Sequence, residues 1–179
     1  MNLKNLFGHL HTVGKHRRLV RKYCFRLGLY RQGLMHDLSK YSPTEFLPGI
    51  RYYTGKKSPN GGEREEMGFS TAWMHHKGRN RHHIEYWTDY VGPDKEMVGV
   101  PMPVKYFCEM FCDRVSASRI YNGDAYTDAM PLEYFHKSKE YRLMHPSTKE
   151  LLEKLLIMLR DKGEDATFAY IRRNILKKK

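Results

Sequence analysis

Residues 3–28 read LKNLFGHLHTVGKHRRLVRKYCFRLG, and this stretch decides the fold class. Leu3, Leu6, Phe7, Leu10, Val13, Val20, Cys24 and Leu27 recur at the steps that line up one face of an α-helix, and Gly28 supplies a stop. His9 and His16 lie seven residues apart, so both can sit near that inward stripe. Working outward, a short apolar segment covers 31–38, and Ser42-Pro43-Thr44-Glu45 predicts a helix over 42–53, with Ser42 as cap, Pro43 in the first turn and Glu45 closing a capping box. Residues 54–62 and 91–103 read as loops, because Gly and Pro crowd them. Between them 63–77 reads as one helix and 82–90 as a short one. Helical spacing resumes over 104–122 through Phe107, Phe111, Val115 and Ile120, and a short helix follows at 131–137. Ser147 and Glu150 predict a second capping box ahead of a helix over 147–160, and the last helix is expected over 166–176. No run alternates as a buried strand would, so the expected fold class is all-α.

At 179 residues the expectation is one domain spanning 1–179, with a chemical core over 9–120 and C-terminal helices over 131–177 packed on it. Thirty-two Lys and Arg against 20 Asp and Glu give a net charge of +12, an excess that water or an anionic partner must answer. Nucleotides, nucleic acids and phosphorylated metabolites all fit. The basic residues are spread along the chain, which reads as a charged globule rather than a tailed binder. Cys24, Cys108 and Cys112 are too few for a disulfide framework and read as small apolar residues, which implies a reducing setting. The N-terminal segment lacks the apolar run of a signal peptide and no stretch reaches a membrane span, so the expected location is cytoplasmic, off the membrane.

The chemistry centres on His36-Asp37 within GLMHDLSKYSP (33–43). An adjacent imidazole and carboxylate give a divalent ion one nitrogen and one oxygen, and the second carboxylate oxygen remains for a neighbouring ion. The pair has company: His16 upstream, the doublets His75-His76 and His82-His83 downstream, and Asp113 on a later apolar helix. One His from each doublet can converge across the Gly-containing turn, making His76, His82 and His83 candidate ligands, while at least one of the four should serve only as a hydrogen-bonding residue. Lys40, three residues after Asp37, points to much the same side and can pair with a phosphate oxygen, as can Arg79 and Arg81 between the doublets. Tyr86, Trp87, Cys108 and Cys112 read as core.

The order His, His-Asp, His, Asp resembles the HD-domain superfamily of metal-dependent phosphohydrolases, which are all-helical, and the resemblance spans roughly 9–120. It implies that His16, His36, Asp37 and Asp113 form the minimal ligand set, and that His76, His82 or His83 add ligands for a second ion. The implied cofactor is one or two divalent ions, with Mn, Fe, Co, Zn, Mg and Ni not separated, and the implied catalytic residues are Asp37 and Lys40. The partner implied is a phosphorylated small molecule, above all a nucleotide. The strings HDLSKYSPTEF, RYYTG and HHKGRNRHHIEYW also resemble those of a bacterial and phage family of unknown function. Lys40 is similar to the Lys of the HDxGK variant in cyclic-dinucleotide phosphodiesterases, but Ser39 replaces its Gly and the GYP string is absent. Nucleotidase-like relatives carry Glu where Lys40 stands. Two other readings share these residues: a di-iron oxygenase of the same fold, and a basic nucleic-acid-binding protein with a structural or vestigial metal site.

Overall fold

The period in residues 3–28 becomes helix α1 (Leu3–Arg26), capped by the Asn2 side chain, which accepts from the Lys4 amide at 2.9 Å. The chain is represented by a computed structural model that describes residues 2–138 and 143–177. Gly28, at φ +77°, turns it into α2 (Tyr30–Met35), and after the His36-Asp37 corner a 3₁₀ turn (Leu38–Tyr41) leads into α3 (Pro43–Arg51). The remaining helices are α4 (Pro59–Met67), α5 (Thr71–Arg79), α6 (Val104–Asn122), α7 (Met130–Lys137) and α8 (Pro146–Tyr170). Eight α-helices among the described residues make the fold all-α, as the periodicity predicts.

The core is one apolar cluster shared by four helices. Val20, Tyr23, Cys24 and Leu27 of α1 meet Phe107, Cys108, Phe111 and Val115 of α6, and Leu132, Phe135, Leu152, Leu155, Leu156 and Leu159 close it from α7 and α8. Contacts pair the start of α6 with the end of α1, so the two helices run antiparallel: Cys24 lies beside Cys108, and His16 beside Asp113. Among the described residues no helix is long and apolar enough to cross a membrane.

Several local expectations are corrected. Residues 59–62 are the first turn of α4 rather than loop, because Pro59 fits the first helical turn and needs no amide partner there. The helix expected over 63–77 is two, broken where Gly68 adopts φ +79°. Ser70 then caps α5 by accepting from the Trp73 amide, and buried Glu63 reaches back to accept from the Thr71 amide at 3.1 Å and its hydroxyl at 2.6 Å. Residues 82–90 hold a 3₁₀ turn (Ile84–Tyr86) and then strand β1 (Thr88–Val91), which pairs antiparallel with β2 (Glu96–Gly99) in a largely exposed hairpin. Neither capping box forms. Ser42 makes no cap bond, and at α8 the cap is His145, whose ring accepts from the Ser147 amide while Pro146 takes the first turn. The helices expected over 147–160 and 166–176 join across Gly163, whose φ of 76° kinks α8, and a π turn (Ile171–Ile175) follows.

Candidate metal centre

Asp37 is the hinge of the site. It adopts φ 53°, ψ 27°, a left-handed conformation uncommon for a non-glycine residue, between the end of α2 and the 3₁₀ turn. Its side chain is buried, and its two oxygens face different histidines. Oδ2 lies 3.4 Å from His36 Nε2, 3.8 Å from His16 Nε2 and 2.9 Å from Lys40 Nζ. Oδ1 lies 3.3 Å from His76 Nε2 and 3.4 Å from His82 Nε2.

Each partner comes from an element that fixes its direction. His16 projects from the inward face of α1, and its Nε2 is 3.0 Å from Asp113 Oδ1 on α6 and 3.4 Å from His36 Nε2. His36 Nε2 is 3.6 Å from the same Asp113 oxygen, and Asp113 Oδ2 is 3.9 Å from His82 Nε2. His76 sits on α5, and His82 and His83 follow in the turn after it, with the His83 ring 4.7 Å from that of His76 and 4.2 Å from that of His82. Ligand atoms of Asp37, His76, His82 and His83 lie within 4.8 Å of one another, and so do those of His16, His36 and Asp113. Two ligand groups therefore stand side by side, joined by Asp37.

An outer set of carboxylates aims the rings. Glu109, one helical turn before Asp113 on α6, takes His36 Nδ1 at 3.1 Å and His82 Nδ1 at 3.2 Å on a single oxygen. Glu45 takes His75 Nδ1 at 2.6 Å and His76 Nδ1 at 2.7 Å, one on each oxygen. A ring whose Nδ1–H is donated to a carboxylate presents its Nε2 lone pair on the other side. His36, His76 and His82 all turn Nε2 toward Asp37 and Asp113. Asn80 closes the shell by donating to Ser39 Oγ and to the His76 carbonyl, both at 2.8 Å.

The electrostatics follow from this crowding. Burial pushes every carboxyl here upward, yet the imidazoles and Lys40 outweigh it, holding Asp37 and Asp113 well below the usual range and lowering Glu45 and Glu109. Burial also opposes charge on His36, but Asp37, Asp113 and Glu109 overcome it and raise its pKa to about 10. On His16 and His83 burial wins and the pKa falls. Burial likewise disfavours charge on Lys40, and Asp37 more than compensates, keeping the ammonium charged.

These residues could hold a metal ion. Asp37 Oδ1, His82 Nε2 and His83 Nε2 are buried without a hydrogen-bond partner, although an acceptor oxygen and a lone pair stand only 3.4 Å apart. A cation between them would resolve that conflict. Bonds of about 2.1 Å to nitrogen and oxygen put adjacent ligands about 3.0–3.4 Å apart, close to the spacings here. The donor set is imidazole and carboxylate without thiolate, since burial pushes Cys108 up to about 12 and Cys112 well above its ordinary range, both in the apolar core.

All seven metal candidates from the sequence, His16, His36, Asp37, His76, His82, His83 and Asp113, are thus brought together, and His75 is the one in the doublets that only supports Glu45. Lys40 stands on Asp37 about one third exposed, at 32% of its side chain. Arg79 is exposed at the end of α5, and Arg81 turns away, donating to the Tyr106 hydroxyl at 3.2 Å with its guanidinium over the Tyr86 and Tyr106 rings. Glu45 corrects the sequence reading most sharply: two imidazole donors hold its carboxylate, so it does not cap α3. Glu109 was invisible in the pattern of ligands, but it carried a signal, an acidic residue four positions before Asp113 on the apolar face of α6.

No curated protein and no solved structure matches the chain. The family model described as "Family of unknown function (DUF5662)" matches residues 5–158, the stretch that holds every ligand described above, and the chain belongs to that family.

Proposed function

We propose that the chain is a metal-dependent phosphohydrolase of HD-domain type, acting on a nucleotide or other phosphate ester. The observation that carries this reading is Asp37, which offers one oxygen to each of two histidine groups. His16, His36 and Asp113, with Asp37 Oδ2 3.4 Å from His36 Nε2 and 3.8 Å from His16 Nε2, would hold one divalent ion, and Asp37, His76, His82 and His83 the other. Bound there, the ions would supply a water acidified to near-neutral pKa and positive charge to set against the phosphoryl oxygens. Glu109 and Glu45 keep Nε2 inward by holding the opposite ring nitrogens, so the rings need not turn to bind a metal, which would displace the proton that His36 holds. Lys40 is the cation best placed to take a phosphate oxygen, because it is anchored on Asp37 and still reaches solvent. Arg79 and Arg81 lack that anchoring, so substrate binding rests on Lys40 first.

The test is metal analysis of the purified chain together with a phosphomonoesterase and phosphodiesterase panel run with several divalent ions. Two ions per chain and turnover with Mn, Mg or Co support the hydrolase. An oxygen-sensitive iron pair without phosphoester turnover supports the oxygenase instead. Lys40→Ala should retain both ions and raise KM by about tenfold, the value of one charge-assisted contact; an unchanged KM across all active esters would remove Lys40 from the site.

A further inference from the structure

Asp37 is the first acidic residue of the chain: residues 1–36 carry eight Lys and Arg and no Asp or Glu, so they hold +8 of the net +12. Basic residues are spread along the sequence, but acidic ones are not, and the imbalance falls on α1. That helix turns His9, Val13, His16, Val20, Tyr23 and Cys24 inward. At 100° per residue, exposed Lys4, His11, Lys15, Arg18 and Lys22 fall in one sector of about 60° opposite that face, along about 27 Å of helix. Arg26 is occupied by Glu164 and Asp165 of α8, whereas no acidic side chain among the described residues pairs with Lys15, Arg18, Arg21 or Lys22.

Beside this row Gly14, Arg17, Arg18, Arg21 and Gly33 line a hollow of about 150 Å³ between α1 and α2. Arg17 is fixed there by donating to the His36 carbonyl at 2.8 Å and the Leu34 carbonyl at 3.2 Å. Arg18 and Arg21 are exposed, line the same space and carry guanidinium groups, whose fork suits phosphate oxygens. Phe25 packs against Gly33 and meets Tyr30 edge to face at 5.2 Å, and both rings are exposed, Tyr30 at 62%.

We propose that the outer face of α1, with the Arg17–Arg18–Arg21 hollow and the Phe25–Tyr30 pair, binds single-stranded nucleic acid. The basic row follows the phosphates, and the aromatic pair takes an unpaired base, the combination that holds single strands without reading their sequence. An anionic membrane fits less well, because a helix lying on lipid needs a broad apolar face outward along its length, whereas exposed Leu3, Phe7 and Leu10 lie only in the first turns of α1 and Val13, Val20, Tyr23 and Cys24 face the core. The surface shares no side chain with the candidate metal ligands and touches them only where Arg17 holds the His36 carbonyl, so it does not depend on whether the chain hydrolyses phosphate esters.

The test is fluorescence anisotropy with a labelled single-stranded oligonucleotide of about 20 nucleotides, in chelator, across a salt series. The expected result is salt-dependent binding that Arg18→Ala with Lys22→Ala weakens at least tenfold, lowering the log–log salt slope by about 2. Lys149→Ala with Lys154→Ala removes the same charge from exposed positions on α8 and should change affinity less than twofold. Phe25→Ala should weaken single-strand binding further while sparing duplex of the same sequence. Equal losses in the two double variants would reduce the effect to net charge and overturn the proposal. So would preference for duplex, or binding to phosphatidylserine vesicles in place of the oligonucleotide. Thermal melts of the variants, all at exposed side chains, check that folding is unaffected.

Discussion

Helices α1 and α6 meet twice, and the two contacts are built from opposite chemistry. Toward the end of α1 and the start of α6, Val20 and Cys24 lie against Cys108, Phe111 and Cys112, every one of them fully buried and apolar. Two turns further along, His16 faces Asp113, with His36, Asp37, His82 and Glu109 around them. The apolar contact stabilises the chain as soon as water leaves it. The polar contact gathers four carboxylates and five imidazoles into one buried volume, where charges are costly unless compensated. One end of the helix pair folds the protein, and the other holds ligands that the fold alone leaves frustrated.

That division can be broken from either side. The largest effect is expected for Asp37→Ala, which removes the one side chain shared by both ligand groups: metal content should fall to zero and phosphoester turnover by at least a thousandfold, about 4 kcal/mol. Its circular dichroism spectrum should stay helical, because the apolar cluster does not include Asp37. Retained metal in this variant would refute the bridge. Conversely, Phe111→Ala, at a fully buried position, should cost about 3–5 kcal/mol in urea denaturation of the metal-free chain. Well below its melting temperature that variant should still bind two ions; a loss of metal there would mean that the two contacts are not separable.

Smaller changes sharpen the comparison. Glu109→Gln keeps the shape of α6 but weakens the hold on His36 and His82, so metal affinity should drop about 10–100-fold without loss of the helical spectrum, as competition with a chelator would measure. His9 is the control imidazole, buried on α1 against Phe46 and Tyr53 rather than against a carboxylate. Burial first, and Lys40 second, lower its pKa to about 4 from 6.5. The unfolded chain takes up that proton near pH 6.5 and the folded chain refuses it until about pH 4, so stability should fall as pH drops through this window, by roughly 2 kcal/mol. His9→Leu should flatten that part of the stability profile. An unchanged slope would place the acid sensitivity on other groups.

Much of the ligand set was legible because each member leaves a local mark. His36-Asp37 is a dipeptide, His16 falls on an apolar stripe, and Asp113 interrupts one. The supporting shell leaves none. Glu45 fits a capping box as well as any helix start, and only α5, laid across α3, brings the two Nδ1 donors that claim it. Likewise, Arg81 between two His doublets suggests phosphate binding, but Tyr86 and Tyr106 turn its guanidinium toward the aromatic side. The period over 63–77 reads as one helix, whereas the left-handed φ of Gly68 ends α4 and lets α5 start where His76 points inward.

By itself, the sequence determined the helical class and the residue types of the candidate metal centre, since hydrophobic period and ligand chemistry are properties of short stretches. It also determined that the first 36 residues carry no acid. The tertiary structure alone decided that Asp37 divides its oxygens between two histidine groups, that Glu45 and Glu109 aim the rings, and that α1 shows its basic row to solvent. Each of these depends on which faces meet across segments tens of residues apart, and no local pattern encodes that.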